Sequence, residues 1–312
     1  MKVSIAQISP VWLNKTETLN KVNDYISEAG KQNCKLIAFS EAFVPGYPFW
    51  TERTGGAEFN SSKQKELFAY YLRQSVCIEK NDLVQVSQAA KENQIAVILG
   101  IIERPLDRGG HSLYASRVYF DKTGEILSVH RKLMPTYDER LTWSIGDGHG
   151  LQVHTLNEFT VGALNCWENW MPLVRSSLYA LGENLHVAIW PGSIHNTKDI
   201  TRFIALESRS FVISASSVFK KEMINSDIPY SDEIIKNSNE YLANGGSCIA
   251  GPDGNWIVEP IINEEKLITA ELDIQKVFEE RQNFDAAGHY SRPDVTKLSV
   301  NRKRQSTIEL IE

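Results

Sequence analysis

The chain has 312 residues, 42% of them hydrophobic and 23% charged, an ordinary balance for a folded globular protein. Its net charge of −6 leaves no electrostatic footprint for nucleic acid or an anionic membrane surface. No apolar run reaches the roughly 20 residues that span a bilayer, and MKVSIAQISP, with one basic residue, opens like a strand rather than a secretory signal. Cys34, Cys77, Cys166 and Cys248 are scattered, with neither a CxxC nor metal-ligand spacing, which points to reduced thiols in a cytoplasmic protein.

Strand and helix signals alternate along the chain. Lys2–Ser9 alternates as a strand, Thr16–Lys31 has the period of an amphipathic helix, and Lys35–Phe39 is a short apolar strand running into SEAFVPGYPFW. Asn81–Asn93 reads as a helix, and IAVILGII from Ile95 suits a buried strand. Leu113–Phe120 and Ile126–Arg131 read as strands joined by DKTGE, with Gly124 where the turn needs it. In the second half, Phe159–Leu164 is a strand leading to Cys166, and Met171–Leu181 a helix. The strand Leu185–Trp190, the helix Asp199–Ser208 and the strand Phe211–Ser216 follow. Ser247–Ala250 and Trp256–Pro260 flank the turn GPDGN. The polar stretch Lys220–Gly245 reads as a long surface excursion. No Pro/Gly/Ser-rich linker interrupts the alternation, so one α/β domain over residues 1–312 is expected.

The chemistry centres on LNCWENW, Leu164–Trp170. A cysteine nucleophile needs a base, because a free thiol with a pKa near 8.5 is only a few per cent ionised at neutral pH. It also needs a donor or cation where negative charge develops. Glu41, Lys132 and Glu139 all follow strand ends, where loops of α/β proteins gather reactive groups. Each also has a plain reading: Cys166 as a buried core thiol, Glu41 as a cap or ion-pair partner, Lys132 and Glu139 as surface charges. Residue types and spacing leave both readings open.

Three segments, FSEAFVPGYPFW, HRKLMPTYDERLTWSIGDG and LNCWENWMPL, resemble in order and spacing the catalytic segments of the nitrilase superfamily of carbon–nitrogen hydrolases. The likeness runs from VSIAQISPVW to FDAAGHYSRPDV. The Trp-Glu after the cysteine, the HRKL-x-PT lysine segment and the Gly146–Gly148 turn resemble the nitrilase branch itself.

This resemblance implies a four-layer αββα sandwich whose members pair into αββα–αββα dimers. It implies Cys166 as nucleophile, Glu41 as general base, Lys132 as the cation that stabilises developing charge, and Glu139 as the additional glutamate that helps position the lysine, with assistance in proton transfer left open. The implied reaction turns a small-molecule nitrile into a carboxylic acid and ammonia through a covalent thioimidate and thioester, without a metal or organic cofactor. Only a short tail, residues 296–312, follows the matching segment, so a homodimer is expected ahead of a filament, with a higher homo-oligomer left open.

Around the quartet, Tyr47, Trp50, Trp167 and His195 are candidate substrate-binding residues, the Trp167 N–H being also a candidate donor to a developing anion. Each of the aromatics has core packing as its plain alternative. Glu168 reads as a cap and orienting carboxylate near a helix start, His130 as structural, and His289 stays open. The rival enzyme readings are an amidase or carbamoyl hydrolase using the same quartet, and a cyanide-degrading nitrilase. An idle interaction module is disfavoured because all four residues are present.

Overall fold

The computed structural model describes residues 1–308 and Ile311. Five strands of the first sheet come early: β1 (Lys2–Gln7), β2 (Leu36–Ala38), β3 (Ala96–Glu103), β4 (Tyr114–Phe120) and β5 (Ile126–Arg131). The second sheet has seven strands: β6 (His154–Leu156), β7 (Phe159–Asn165), β8 (Leu185–Ile189), β9 (Phe211–Ala215), β10 (Val218–Lys220), β11 (Tyr241–Ala250) and β12 (Trp256–Ile262). The chain then returns to add β13 (Lys266–Glu271) antiparallel to β1, which makes the first sheet six-stranded. β1, β2 and β3 are parallel to one another, as are β7, β8 and β9. Parallel strands need crossovers, and helices supply them.

The helices are α1 (Lys15–Lys31), α2 (Trp50–Arg53), α3 (Ser62–Gln74), α4 (Val84–Asn93), α5 (Pro172–Tyr179), α6 (Ile194–Ser208), α7 (Ser231–Lys236) and α8 (Gln275–Asn283). In α1, Leu19, Val22, Ile26 and Ala29 form the buried stripe, and the Asn14 side chain caps the first turn by accepting from the Glu17 N–H.

Three apolar layers define the architecture. Between the sheets, Val3, Leu36 and Ile98 meet Val161, Val187 and Ile213. Outside the first sheet, Ile37, Val97 and Leu99 pack under Val22 and Ile26 of α1 and Val86 of α4. Outside the second, Ala188 and Val212 lie under Ile200 and Ile204 of α6, and Leu164 lies under Val174 and Leu178 of α5. Strands buried on both faces therefore read as continuous apolar runs, and each fully buried Val, Ile or Leu contributes about 1.5–3 kcal/mol. The result is the expected αββα sandwich.

Three expectations are corrected. α6 begins at Ile194 rather than Asp199, because the Ser193 hydroxyl accepts from the His195 N–H and starts the helix. α3 was not foreseen; its SKQKELFAYYLRQ buries only Leu67 and Tyr71, too sparse a stripe to stand out. The Lys220–Gly245 stretch is not a mere surface excursion. It contains α7 and the start of β11, and Ile224, Ile228 and Ile234 are buried in one cluster with Trp12, Trp50 and Phe219. Isolated isoleucines in a polar context carry the fold there without a readable period.

The C-terminal segment lies along the Gly146–Gly148 turn: Arg304 donates to Asp147 and to the Val129 carbonyl, and the Gln305 N–H donates to Asp147. Among the described residues, no helix is long and apolar enough to cross a membrane.

Candidate active site

Cys166 is the first residue after β7, one of the three parallel strands of its sheet. It adopts φ +48°, the left-handed region, and opens a 3-10 turn, Cys166–Trp170, that leads to α5 with Pro172 in its first turn. A non-glycine residue held there costs about 1–3 kcal/mol and persists only where its surroundings impose it. The strand–turn–helix path sets the thiol at the carboxyl ends of parallel strands, where α/β folds place their ligands.

Glu41 arrives from the other sheet. β2 ends at Ala38, and the following turn crosses closely over β3, where Gly100 makes room: a Cβ there would lie 2.1 Å from the Ser40 carbonyl oxygen. The Glu41 N–H donates to the Trp190 carbonyl at 3.2 Å, which ties the Glu41 turn to the strand end beside β7.

Lys132 follows β5, its backbone held by the Lys132 N–H to the Ala115 carbonyl and by the Gly146 N–H to the Lys132 carbonyl, both 2.8 Å. Its Nζ lies 2.9 Å from Glu41 Oε1 and 2.6 Å from Glu139 Oε2, and 5.5 Å from the centre of the Trp143 ring. Glu139 sits in the 3-10 segment Tyr137–Leu141 and reaches back to the Thr136 N–H at 2.6 Å. The Tyr47 hydroxyl donates to its other oxygen at 3.0 Å.

Oxygens of both glutamates and Cys166 Sγ lie within 4.8 Å of one another. All four side chains are buried, none more than 2% exposed. That donor set resembles a cation site, but the Lys132 ammonium already stands between the two carboxylates and neutralises one of their charges.

The electrostatics follow from burial. Desolvation pushes the Cys166 thiol well up, and Glu41 adds to it, while Lys132 and the Trp167 N–H pull the other way. Desolvation also lifts the Glu41 carboxyl to about 8, against the pull of Lys132 and with the push of Glu139. For Lys132, burial disfavours the ammonium, but Cys166, Glu41 and Glu139 together keep it firmly charged. Both groups therefore hold their protons at neutral pH, and once Glu41 is ionised a proton can pass from sulfur to carboxylate with no change in local net charge.

Glu168 braces the arrangement. Its carboxylate accepts from the Asn165 N–H at 2.8 Å, beside the cysteine, and from the Leu133 N–H at 2.6 Å, beside the lysine. His130 Nε2 lies 3.0 Å from the same carboxylate, and both side chains are fully buried. Burial raises Glu168, yet His130 and these N–H groups outweigh it and hold the carboxyl below its ordinary value. The capping and orienting role read from sequence has this geometry, except that the turn is 3-10 and α5 starts only at Pro172.

The four expected substrate-binding residues fall in different places. Tyr47 touches the quartet through Glu139 and packs edge-on against Trp143. With Phe49, Phe219, Pro191 and Ser217 it lines a small cavity that reaches Glu41. Trp50 is buried at the start of α2, edge-on to Tyr71 in the surrounding apolar cluster. Trp167 turns its indole outward, half exposed and 6.5 Å from the Trp170 ring. His195 is exposed in the first turn of α6, and His289 is exposed beside Tyr290. Trp143 over Lys132 and the Thr136 N–H on Glu139 were missed by sequence reading. The pattern Asn165-x-x-Glu168 was a legible capping signal.

The family model described as carbon–nitrogen hydrolase matches residues 2–282. Among characterised proteins, an aliphatic nitrilase of Rhodococcus rhodochrous is 33% identical over all of this chain and 82% of its own length. An arylacetonitrilase of Aspergillus kawachii is also 33% identical, over 96% of this chain and 92% of its own. Among solved structures, a carbon–nitrogen hydrolase from Helicobacter pylori G27 superposes with a TM-score of 0.68 at 18% identity, covering 94% of this chain and 97% of that one.

Proposed function

This chain belongs to the carbon–nitrogen hydrolase family, and from that premise we propose that it is a nitrilase, converting an organic nitrile and two waters to a carboxylic acid and ammonia. The observation that carries the reading is the buried quartet of Cys166, Glu41, Lys132 and Glu139, in a chain about one-third identical over its whole length to an aliphatic nitrilase.

Glu41 is the general base: it takes the Cys166 proton as sulfur attacks the nitrile carbon, then delivers it to nitrogen, leaving a thioimidate. Water, giving its proton to Glu41, adds to that carbon to form a tetrahedral species. The proton on Glu41 and then the hydroxyl proton of that species pass to nitrogen, which leaves as ammonia as the thioester C=O forms; a second water then cleaves the thioester to the acid and free thiol. Lys132 stabilises the charge of the tetrahedral species, a role comparable to an oxyanion donor worth about 2.7–4 kcal/mol. Glu139 holds the lysine and does not turn over, since its oxygens are engaged by Lys132, Thr136 and Tyr47.

Tyr47 is the substrate-pocket residue linked to the quartet. Trp50, Trp167 and His195 are proposed as more distant contributors to substrate binding. The partner beyond the nitrile is a second copy of this chain. Exposed Leu173 on α5 and Phe203 and Leu206 on α6 support pairing through that helix layer. The cytoplasm is the proposed location, on the four unpaired thiols. Amide or carbamoyl hydrolysis is the second reading, because the same quartet can enter at the tetrahedral stage, and hydrogen cyanide is the smallest nitrile the mechanism admits.

Intact-mass measurement after rapid acid quench tests the chemistry. Wild type mixed with a nitrile should gain the mass of the acyl or imidoyl group on Cys166, and Cys166→Ala should gain none. An adduct on another residue, or turnover by the alanine variant, overturns the assignment.

A further inference from the structure

A second buried polar chain runs behind the cysteine turn and takes no part in the chemistry above. Asn169 Nδ2 donates to the Cys166 carbonyl at 2.8 Å and to the Leu164 carbonyl at 3.3 Å. Carbonyls only accept, so the amide must turn its NH2 toward them and its oxygen the other way. That oxygen meets His186 Nε2 at 2.7 Å, so Nε2 carries a hydrogen. His186 Nδ1 lies 2.9 Å from Glu183 Oε1, so one more proton sits between those two groups. Asn169, His186 and Glu183 are fully buried. The fold makes room for them: a Cβ on Gly162 would lie 2.0 Å from Glu183 Oε1. Arg175 fixes the other end, donating to the Asn169 carbonyl at 2.8 Å.

The relevance lies in which carbonyl is held. The Cys166 C=O and the Trp167 N–H belong to one planar peptide unit. Fixing the oxygen therefore fixes the direction of the N–H that favours the Cys166 thiolate. Cys166 is also the residue in the left-handed conformation, so without an anchor this peptide would relax by rotating and would carry both thiol and N–H with it.

We propose that Glu183, His186 and Asn169 form a positioning relay that pins the Cys166–Trp167 peptide and so aims the thiol and the Trp167 N–H at substrate. The inference rests on Cys166 being the nucleophile. None of the three relay residues touches substrate.

The test compares His186→Leu, His186→Gln and Asn169→Ala with wild type and Cys166→Ala. Three quantities are measured: kcat and KM on one nitrile, thermal midpoint, and the rate of Cys166 alkylation by iodoacetamide followed by peptide mass mapping. A misplacement of about 1 Å costs about 100-fold, so kcat should fall by that order in His186→Leu and Asn169→Ala, with KM within about threefold. Alkylation of Cys166 should slow in parallel. Glutamine keeps a donor for the Asn169 oxygen, and His186→Gln should recover to within about tenfold of wild type. The relay is overturned if folded His186→Leu or Asn169→Ala keeps wild-type kcat and alkylation rate. It is equally overturned if glutamine rescues no better than leucine while both fold. Should Asn169→Ala not fold, the His186 pair decides alone. Turnover by Cys166→Ala would sink the nucleophile reading instead, and the alkylation rates would still report on the relay.

Discussion

Lys132 Nζ stands 2.9 Å from Glu41 Oε1, yet neither oxygen of Glu41 makes a hydrogen bond. The contact has the distance of an ion pair without the angle of a hydrogen bond, so the Glu41 lone pairs stay unspent. Glu139, on the far side of the same ammonium, has three donors. One carboxylate is free to accept a proton and the other is locked as scaffold. In the proposed mechanism, two glutamates of similar burial thus take different roles because of their partners.

Isosteric substitution should separate them. Glu41→Gln removes the base but disturbs little packing, so kcat should fall about 10²–10⁴-fold with the thermal midpoint nearly unchanged. Glu139→Gln deprives a fully buried ammonium of a charged partner and should cost stability, about 3–5 kcal/mol by denaturant unfolding. Equal stability losses in the two variants would contradict the division of roles.

The pH profile carries a sign. With the Glu41 carboxyl raised to about 8, the base is protonated below that value and free above it. The initial-rate kcat/KM should therefore climb as pH rises through about 8, an apparent value belonging to the coupled set. Glu139 pushes that value up, so in Glu139→Gln the rising limb should move to lower pH. A limb that stays in place or moves upward would refute the electrostatic account.

Glu168 joins the backbone beside Cys166 to the backbone beside Lys132. Glu168→Gln keeps the shape but replaces one accepting oxygen with an NH2 facing a buried N–H. It should destabilise the fold by about 1–3 kcal/mol or more. Activity should fall with KM little changed, measured by steady-state kinetics beside urea titration.

His154 makes stability depend on pH in the acid range. Burial, with Arg117 nearby, lowers it to about 4 from an ordinary value near 6.5. Below 6.5 the unfolded chain binds a proton that the folded one refuses, so this group's support is complete above 6.5 and is lost as pH falls toward 4. His154→Asn should flatten the dependence of thermal midpoint on pH across that window. An unchanged slope would mean that other groups control it.

Much of this was legible in the sequence, and the limits have physical reasons. Long runs such as Ala96–Glu103 announced themselves because strands covered on both faces need apolar residues at every position. Position at strand ends left a plain reading open for each member of the quartet; only the likeness of three segments to a known family named them, and their convergence depends on two sheets facing each other, which no local spacing encodes. The bracing groups were harder still. His186 lies on a strand of otherwise apolar residues; its Glu183 partner is only three residues away, but Asn169 reaches it only through the packing of β8 against the Cys166–Trp170 turn. The Ile224, Ile228 and Ile234 anchors were hidden by polar neighbours.

The central claim is nitrile hydrolysis through Cys166, and one experiment tests it most directly. Purified wild type and Cys166→Ala are incubated with aliphatic, aryl and arylacetonitriles and the matching amides, with acid and ammonia followed by chromatography. The account predicts acid and ammonia in equal amounts from nitriles, little from amides, and none from the alanine variant. Turnover of amides alone, or acid formation that survives in Cys166→Ala, would contradict it.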